Sequence, residues 1–124
     1  MSVILERVGF APDYVNYVES LDMQSRLHAE IAARARQNTI LLLEHEPVIT
    51  AGKRTEDHEY PTDRSTPVVK IDRGGKLTWH GPGQLTGYPI LKLPEPLDVV
   101  AYVRLLEEII MNVLAQLGIK GERV

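Results

Sequence analysis

Arg73-Gly-Gly-Lys-Leu-Thr-Trp-His80-Gly-Pro-Gly-Gln84-Leu-Thr-Gly-Tyr88-Pro89 sets five glycines and two prolines around one arginine, one lysine and one histidine. Glycine at that density lets the backbone take positive φ and lets a ligand approach the main chain closely, a loss of chain entropy that a packed core does not call for. Two ordinary turns flanking a strand would use some of these residues; a binding loop accounts for more of them. Just upstream, Val68-Val69-Lys70-Ile71-Asp72 reads as a strand that delivers Arg73 and its glycines to its end. Downstream, a strand is expected from Leu85 to about Leu93, with Pro89 implying an edge position or a bulge.

Working outward, Ile40 to Leu43 is a continuous apolar run, too short for a helix, and reads as a buried strand ending at Glu44-His45. Pro47 forces a turn, Val48-Ile49-Thr50 resumes extended structure before Gly52, and Lys53 to Pro67 is a charged, solvated loop. Before this, Pro12-Asp13 marks a helix start. Tyr14, Val18, Leu21, Met23, Leu27 and Ile31 carry an amphipathic helix to about Gln37. After Pro94-Glu95-Pro96, Asp98 is a natural N-cap, with Val99, Val103, Leu106, Ile110, Val113 and Leu117 at helical spacing and Gly118 at the C-terminal position. A strand is expected to begin in Ile119–Val124, and Met1–Phe10 alternates a few apolar residues without a signal-peptide core.

The 124 residues are 44% hydrophobic with a formal charge of −3, which fits one soluble domain or part of one and argues against a general nucleic-acid binder. No apolar run approaches membrane-spanning length, so the expected address is the cytoplasm. There is no cysteine, which excludes a disulfide framework, a thiolate metal site and a cysteine nucleophile among these residues.

Chemistry therefore concentrates in the glycine-rich stretch. Arg73-Gly74-Gly75 at a strand end offers a planar cation beside backbone N–H groups, a combination suited to a carboxyl, thioester or phosphate group. Lys53, Arg54, Lys70 and Lys76 add positive charge that could steer an acidic protein, or are simply scattered surface lysines and arginine. His80, ahead of Gly81-Pro82-Gly83, can donate to a carbonyl, position a nucleophile, or merely pin the loop. Other readings lack support. His45, His58 and His80 have no metal-ligand spacing, His28 reads as a surface residue on its helix, and Glu44-His45-Glu46 is broken by Pro47. His-Gly-Pro-Gly lacks the Gly-x-Ser-x-Gly elbow of a lipase, and no dinucleotide or Walker-type loop is present.

The stretch from Arg73 to Pro89 closely resembles the signature of lipoyl(octanoyl) transferases. Glu44-His45-Glu46-Pro47-Val48-Ile49-Thr50-Ala51-Gly52 resembles that family's upstream block, in the expected order. The resemblance covers essentially the whole chain. It implies an α/β (α+β) fold like that of lipoate and biotin protein ligases, a mixed sheet flanked by helices. It also implies transfer of an octanoyl group from octanoyl-acyl carrier protein to a lysine on the lipoyl domains of 2-oxoacid dehydrogenases and the glycine-cleavage protein. No metal, nucleotide or other cofactor, no nucleic acid and no membrane is implied.

By position, Arg73, Gly74, Gly75, Lys76, Leu77, Thr78, Trp79 and His80 correspond to the family's substrate-binding segment. The Arg73-Gly74-Gly75 backbone would form one wall of an acyl tunnel, Leu77 and Trp79 would add apolar surface, and His80 would order the pocket near the thioester. The family's catalytic cysteine and lysine are expected beyond Val124. Residues 1–124 are thus expected to be the N-terminal portion of one catalytic domain, with its sheet incomplete, strand edges and the last helix's apolar stripe exposed, and no transfer activity alone. Two rivals remain: a lipoate–protein ligase, against which the Gly81-Pro82-Gly83-Gln84 continuation speaks, and a non-catalytic acyl or acyl carrier protein-binding module, one form of which is half of a split protein.

Overall fold

A computed structural model describes residues 2–124 as mixed α+β in two compact units, Met1–Lys92 and Leu93–Val124. The first unit holds two three-stranded sheets and helix α1 (Tyr17–Ala32). In one sheet β2 (Thr39–Leu43) lies between β1 (Ile4–Gly9), parallel to it, and β6 (Thr86–Ile90), antiparallel. In the other, β3 (Val48–Ala51) lies between β4 (Val68–Lys70), parallel, and β5 (Leu77–His80), antiparallel. The mixed character expected from sequence is present, divided between two sheets.

Strand β2 is the centre of the first sheet because every second side chain turns inward. Thr39, Leu41 and Leu43 are fully buried, and the alternation continues past the strand to His45. Pro89 sits on β6, an edge strand of this sheet, where its missing N–H costs no inner ladder bond. Helix α1 turns Tyr17, Ser20, Leu27 and Ile31, one face at helical spacing, to the interior and leaves Glu19, Arg26 and Glu30 in water. His28 is exposed on the same helix.

Both ends of α1 and one strand differ from expectation. Helix α1 begins four residues later than Asp13, because Asn16 caps it by accepting the Glu19 N–H at 3.2 Å. The helix stops at Ala32 rather than near Gln37, since Arg34 takes a left-handed conformation (φ 60°) and Ala35 N–H closes back on the Glu30 carbonyl. Strand β1 leaves little trace in the sequence: its alternation is weak, and Ile4 and Leu5 both remain exposed.

The second unit is α2 (Val99–Gln116) and its flanks. Asp98 accepts the Ala101 N–H at 2.9 Å, and Gly118 takes φ 77° beyond the last turn, both as the sequence implies. Ile119–Val124 form no strand. They fold back along α2, where Arg123 Nε donates to Glu107 at 2.7 Å and Gly121 packs against Met111 and Leu114. No residue of α2 is buried, and Val100, Ile110 and Leu117 are among its exposed apolar side chains. Neither helix is long and apolar enough to cross a membrane.

Candidate functional site

The topology dictates the first loop. Strands β3 and β4 are parallel, and β4 must reach β5 on the far side of β3, so residues 71–76 cross the end of β3 where the chain continues into Gly52. The crossing is close. A Cβ on Gly52 would lie 2.5 Å from the Gly75 carbonyl oxygen, 2.8 Å from that of Gly74 and 2.6 Å from Arg73 Nη1. Above Gly52 the carbonyls all point inward: Gly52 N–H donates to Lys76 O (3.0 Å), Lys53 N–H to Arg73 O (2.9 Å) and Arg54 N–H to Gly75 O (3.0 Å).

Arg73 completes this arrangement. Its Nη1 donates to Gly74 O at 2.8 Å, and its Nη2 lies against Thr50 Oγ1 (2.8 Å), Thr78 Oγ1 (3.0 Å) and Thr50 O (3.1 Å). The guanidinium therefore fastens the loop to β3 and β5, using the planar fork that lysine lacks. With four successive carbonyls engaged, the N–H groups of Gly74 and Gly75 have no protein acceptor among the described residues. Both amides are free to meet an anion or a polarised carbonyl oxygen. Of the nearby lysines, Lys76 is paired with Glu59 and Lys53 with Asp72, which reduces the positive patch anticipated from sequence. Lys70 lies over the Tyr60 ring.

Along β5, Leu77 is half-buried and Trp79 exposed on one face; Thr78 and His80 share the other with Thr50 and Arg73. The second loop then turns through Gly81-Pro82-Gly83-Gln84. Gln84 N–H donates to Gly81 O at 3.1 Å, and Gly83 takes φ 85°, a type II turn with proline and glycine where that turn needs them. Glu44 holds this turn from outside: one carboxylate oxygen accepts Gly83 N–H at 2.7 Å and the other accepts Ala11 N–H at 2.9 Å. The Ala11 and Gly83 amides hold the Glu44 carboxyl below the usual carboxylate range.

Behind the second loop lies a cluster of rings. His80 stacks on Tyr17 (centroids 6.3 Å apart, planes within 6°), with the His45 ring 6.1 Å away. His45 is fully buried, and burial pushes its imidazole below the ordinary value, although the Val15 carbonyl opposes that shift. Since Nδ1 faces that carbonyl at 2.9 Å, it must carry the proton. Nε2 then accepts the Tyr88 hydroxyl at 2.6 Å. Burial drives the Tyr88 phenol up to about 12, so the hydroxyl remains a donor. Tyr17 is likewise pushed up by burial, against the lowering influence of Arg73.

Arg73, Thr78 and His80 of the sequence-derived segment thus share one face. Gly74 and Gly75 form its rim, and Lys76, Leu77 and Trp79 lie to its side. Sequence reasoning assigns no role to Tyr17, Glu44, His45, Thr50, Gly52 or Gln84. For His45 a signal exists, the period-two continuation of β2. For Gly52 the signal is its glycine at a strand end, while nothing in the sequence ties Tyr17 to this cluster.

Comparison with known families identifies the kind of domain this is. The family model described as the lipoyl protein ligase A/B catalytic domain matches residues 16–124, and the chain belongs to that family. Among curated relatives, the octanoyltransferase of Leifsonia xyli subsp. xyli is 60% identical over 119 residues, covering 96% of this chain and 53% of the relative. That of Renibacterium salmoninarum is 55% identical over 124 residues (100% and 53%), and that of Streptomyces coelicolor 57% over 118 (95% and 44%). The chain spans about half the length of the curated relatives it matches. Protein Ta0514 from T. acidophilum, solved with bound lipoic acid, shares the fold: TM-score 0.64 at 18% identity, covering 99% of this chain and 52% of that one.

Proposed function

We propose that the protein containing this chain transfers an octanoyl group from octanoyl-acyl carrier protein to a lysine of lipoyl domains, and that residues 1–124 are the N-terminal portion of its catalytic domain. The observation that carries this reading is the 60% identity to an octanoyltransferase across 96% of the chain, both glycine-rich loops included. The geometry agrees with it. Acyl transfer builds negative charge on a carbonyl oxygen, and preorganised backbone N–H groups stabilise such charge without reorganising. The Gly74 and Gly75 amides, without a protein acceptor among the described residues, supply such donors. His80 orders the pocket near the thioester, whereas Leu77 and Trp79 lie on the opposite face of β5 and form a separate apolar surface.

In this mechanism the nucleophile is a cysteine thiolate assisted by a lysine, both supplied from outside residues 1–124, which contain no cysteine. The donor and acceptor are an acyl carrier protein and a lipoyl domain, and the reaction needs neither nucleotide nor metal. The test is to incubate the full-length protein with octanoyl-acyl carrier protein and an unmodified lipoyl domain, without ATP, and weigh the lipoyl domain by mass spectrometry. An octanoyl increment on its lysine is the expected result. Transfer only from free octanoate with ATP would make the protein a ligase. Binding of the carrier without transfer would leave an acyl-binding module.

A further inference from the structure

The His80 ring is held by a side chain to which the transferase reading gives no role. His80 Nδ1 lies 2.6 Å from Gln84 Oε1, and Gln84 Nε2 donates to the Trp79 carbonyl at 3.2 Å. That second bond fixes which way the amide faces: its nitrogen is turned to a carbonyl, so its oxygen is turned to the imidazole. An amide oxygen only accepts, hence Nδ1 carries the proton and Nε2 of a neutral ring carries a lone pair. His45 has the same tautomer for the same reason, but its Nε2 is already occupied by the Tyr88 hydroxyl. Among the described residues no protein group bonds His80 Nε2.

We propose that Gln84 is a positioning residue that locks His80 as the Nδ1–H tautomer and so presents Nε2 as a hydrogen-bond acceptor at the site. The stacked Tyr17 ring limits rotation of the imidazole, and the type II turn at Pro82-Gly83 fixes the distance between residues 80 and 84. For a substrate, the consequence is one of sign. An acceptor at Nε2 suits a group that carries a hydrogen, a thiol or an amine, whereas the opposite tautomer would suit a carbonyl oxygen. Resting on the acyl-transfer reading, this puts His80 on the side of the attacking nucleophile and leaves the carbonyl oxygen to the Gly74 and Gly75 amides.

The experiment is long-range 1H–15N correlation on histidine-labelled full-length protein, with His80→Asn used to assign the ring. The pH is set about two units above the ordinary imidazole value so that the neutral form is read. The wild type should show a protonated-type shift at Nδ1 and a bare-nitrogen shift at Nε2. Gln84→Glu, either of whose oxygens accepts, should keep that pattern, and Gln84→Leu should move the ring toward Nε2–H. A wild-type ring protonated at Nε2, or a Gln84→Leu ring unchanged from wild type, would overturn the proposal. The wild-type spectrum decides even if Gln84→Leu does not fold. In the transfer assay Gln84→Leu should lower kcat at least about tenfold with little change in KM, as expected when a general acid–base or orienting group is lost. Gln84→Glu should recover part of that. The locked tautomer in a protein without transfer activity would refute the transferase reading alone.

Discussion

The two glycine-rich loops of this chain lie before and after β5 and are held by different means. Residues 73–76 are fastened by backbone: three N–H groups from Gly52, Lys53 and Arg54 engage their carbonyls, and one guanidinium binds them to two strands. Residues 81–84 are fastened by side chains, with Glu44 outside the turn and Gln84 within it. A backbone-held loop fails when space is taken from it; a side-chain-held loop fails when an acceptor is removed. The first loop offers fixed amides, and the second sets the chemistry of one imidazole. Substitutions should separate the two.

The largest effect should come from Gly52→Ala. Its methyl group would strike the backbone oxygens of Gly74 and Gly75, which cannot rotate away, so the loop must lift. The cost is about 3 kcal/mol, the upper range for overpacking a close contact. Denaturant unfolding of the full-length protein reads the cost, and octanoyl transfer should fall with it while the His80 ring keeps its tautomer. Next comes His45→Phe, which keeps the ring shape but removes the acceptor of the Tyr88 hydroxyl and one of the two donors to the Val15 carbonyl, which keeps the Glu46 N–H at 3.1 Å, for about 2 kcal/mol. Wild-type protein should also lose stability through this residue as pH falls. The folded-state imidazole lies below its unfolded value, so the contribution is full above the unfolded value and declines as pH drops through it. His45→Phe should flatten that part of the profile. Arg73→Lys should cost about 2 kcal/mol, since an ammonium cannot reach Gly74 O and both threonine hydroxyls together. It should loosen the first loop alone, seen as faster amide exchange at Gly52, Lys53 and Arg54, whose N–H groups bond the loop carbonyls, with Gly83 unchanged.

Much of this architecture is legible in the amino-acid sequence. The continuous apolar run Ile40–Leu43 marks β2, Asp98 and Gly118 delimit α2, and the density of glycine in residues 73–89 locates both loops. What the sequence does not carry is the direction of long-range bonds. Arg73 looks like a cation awaiting a ligand, yet its donors are turned to Thr50, Thr78 and Gly74, because β3 and β5 are paired only in the fold. Glu44 is 39 residues from Gly83, and no local pattern joins them. The start of α1 differs for a smaller reason: Pro12-Asp13 reads as the helix start, but the bond from Glu19 N–H puts the cap on Asn16.

The smallest effect, and the one that isolates the second loop, is at Glu44. Its carboxylate is exposed, so Gln replacement should barely change global stability, yet it leaves one oxygen to serve two amides, Ala11 and Gly83, that now have one each. Amide exchange at Gly83 should accelerate severalfold while that at Gly52, Lys53 and Arg54, which bond the first loop, does not move. The wild type should behave the same way in acid. Because both amides depress the folded-state carboxyl, their protection is complete above the ordinary carboxylate value and lost as pH falls through the lowered one. Gly83 exchange, corrected for intrinsic chemistry, should therefore rise at low pH in wild type and stay level in Glu44→Gln. If the first loop loosens along with Gly83, the two loops are one cooperative unit, and their separate fastening has no separate consequence.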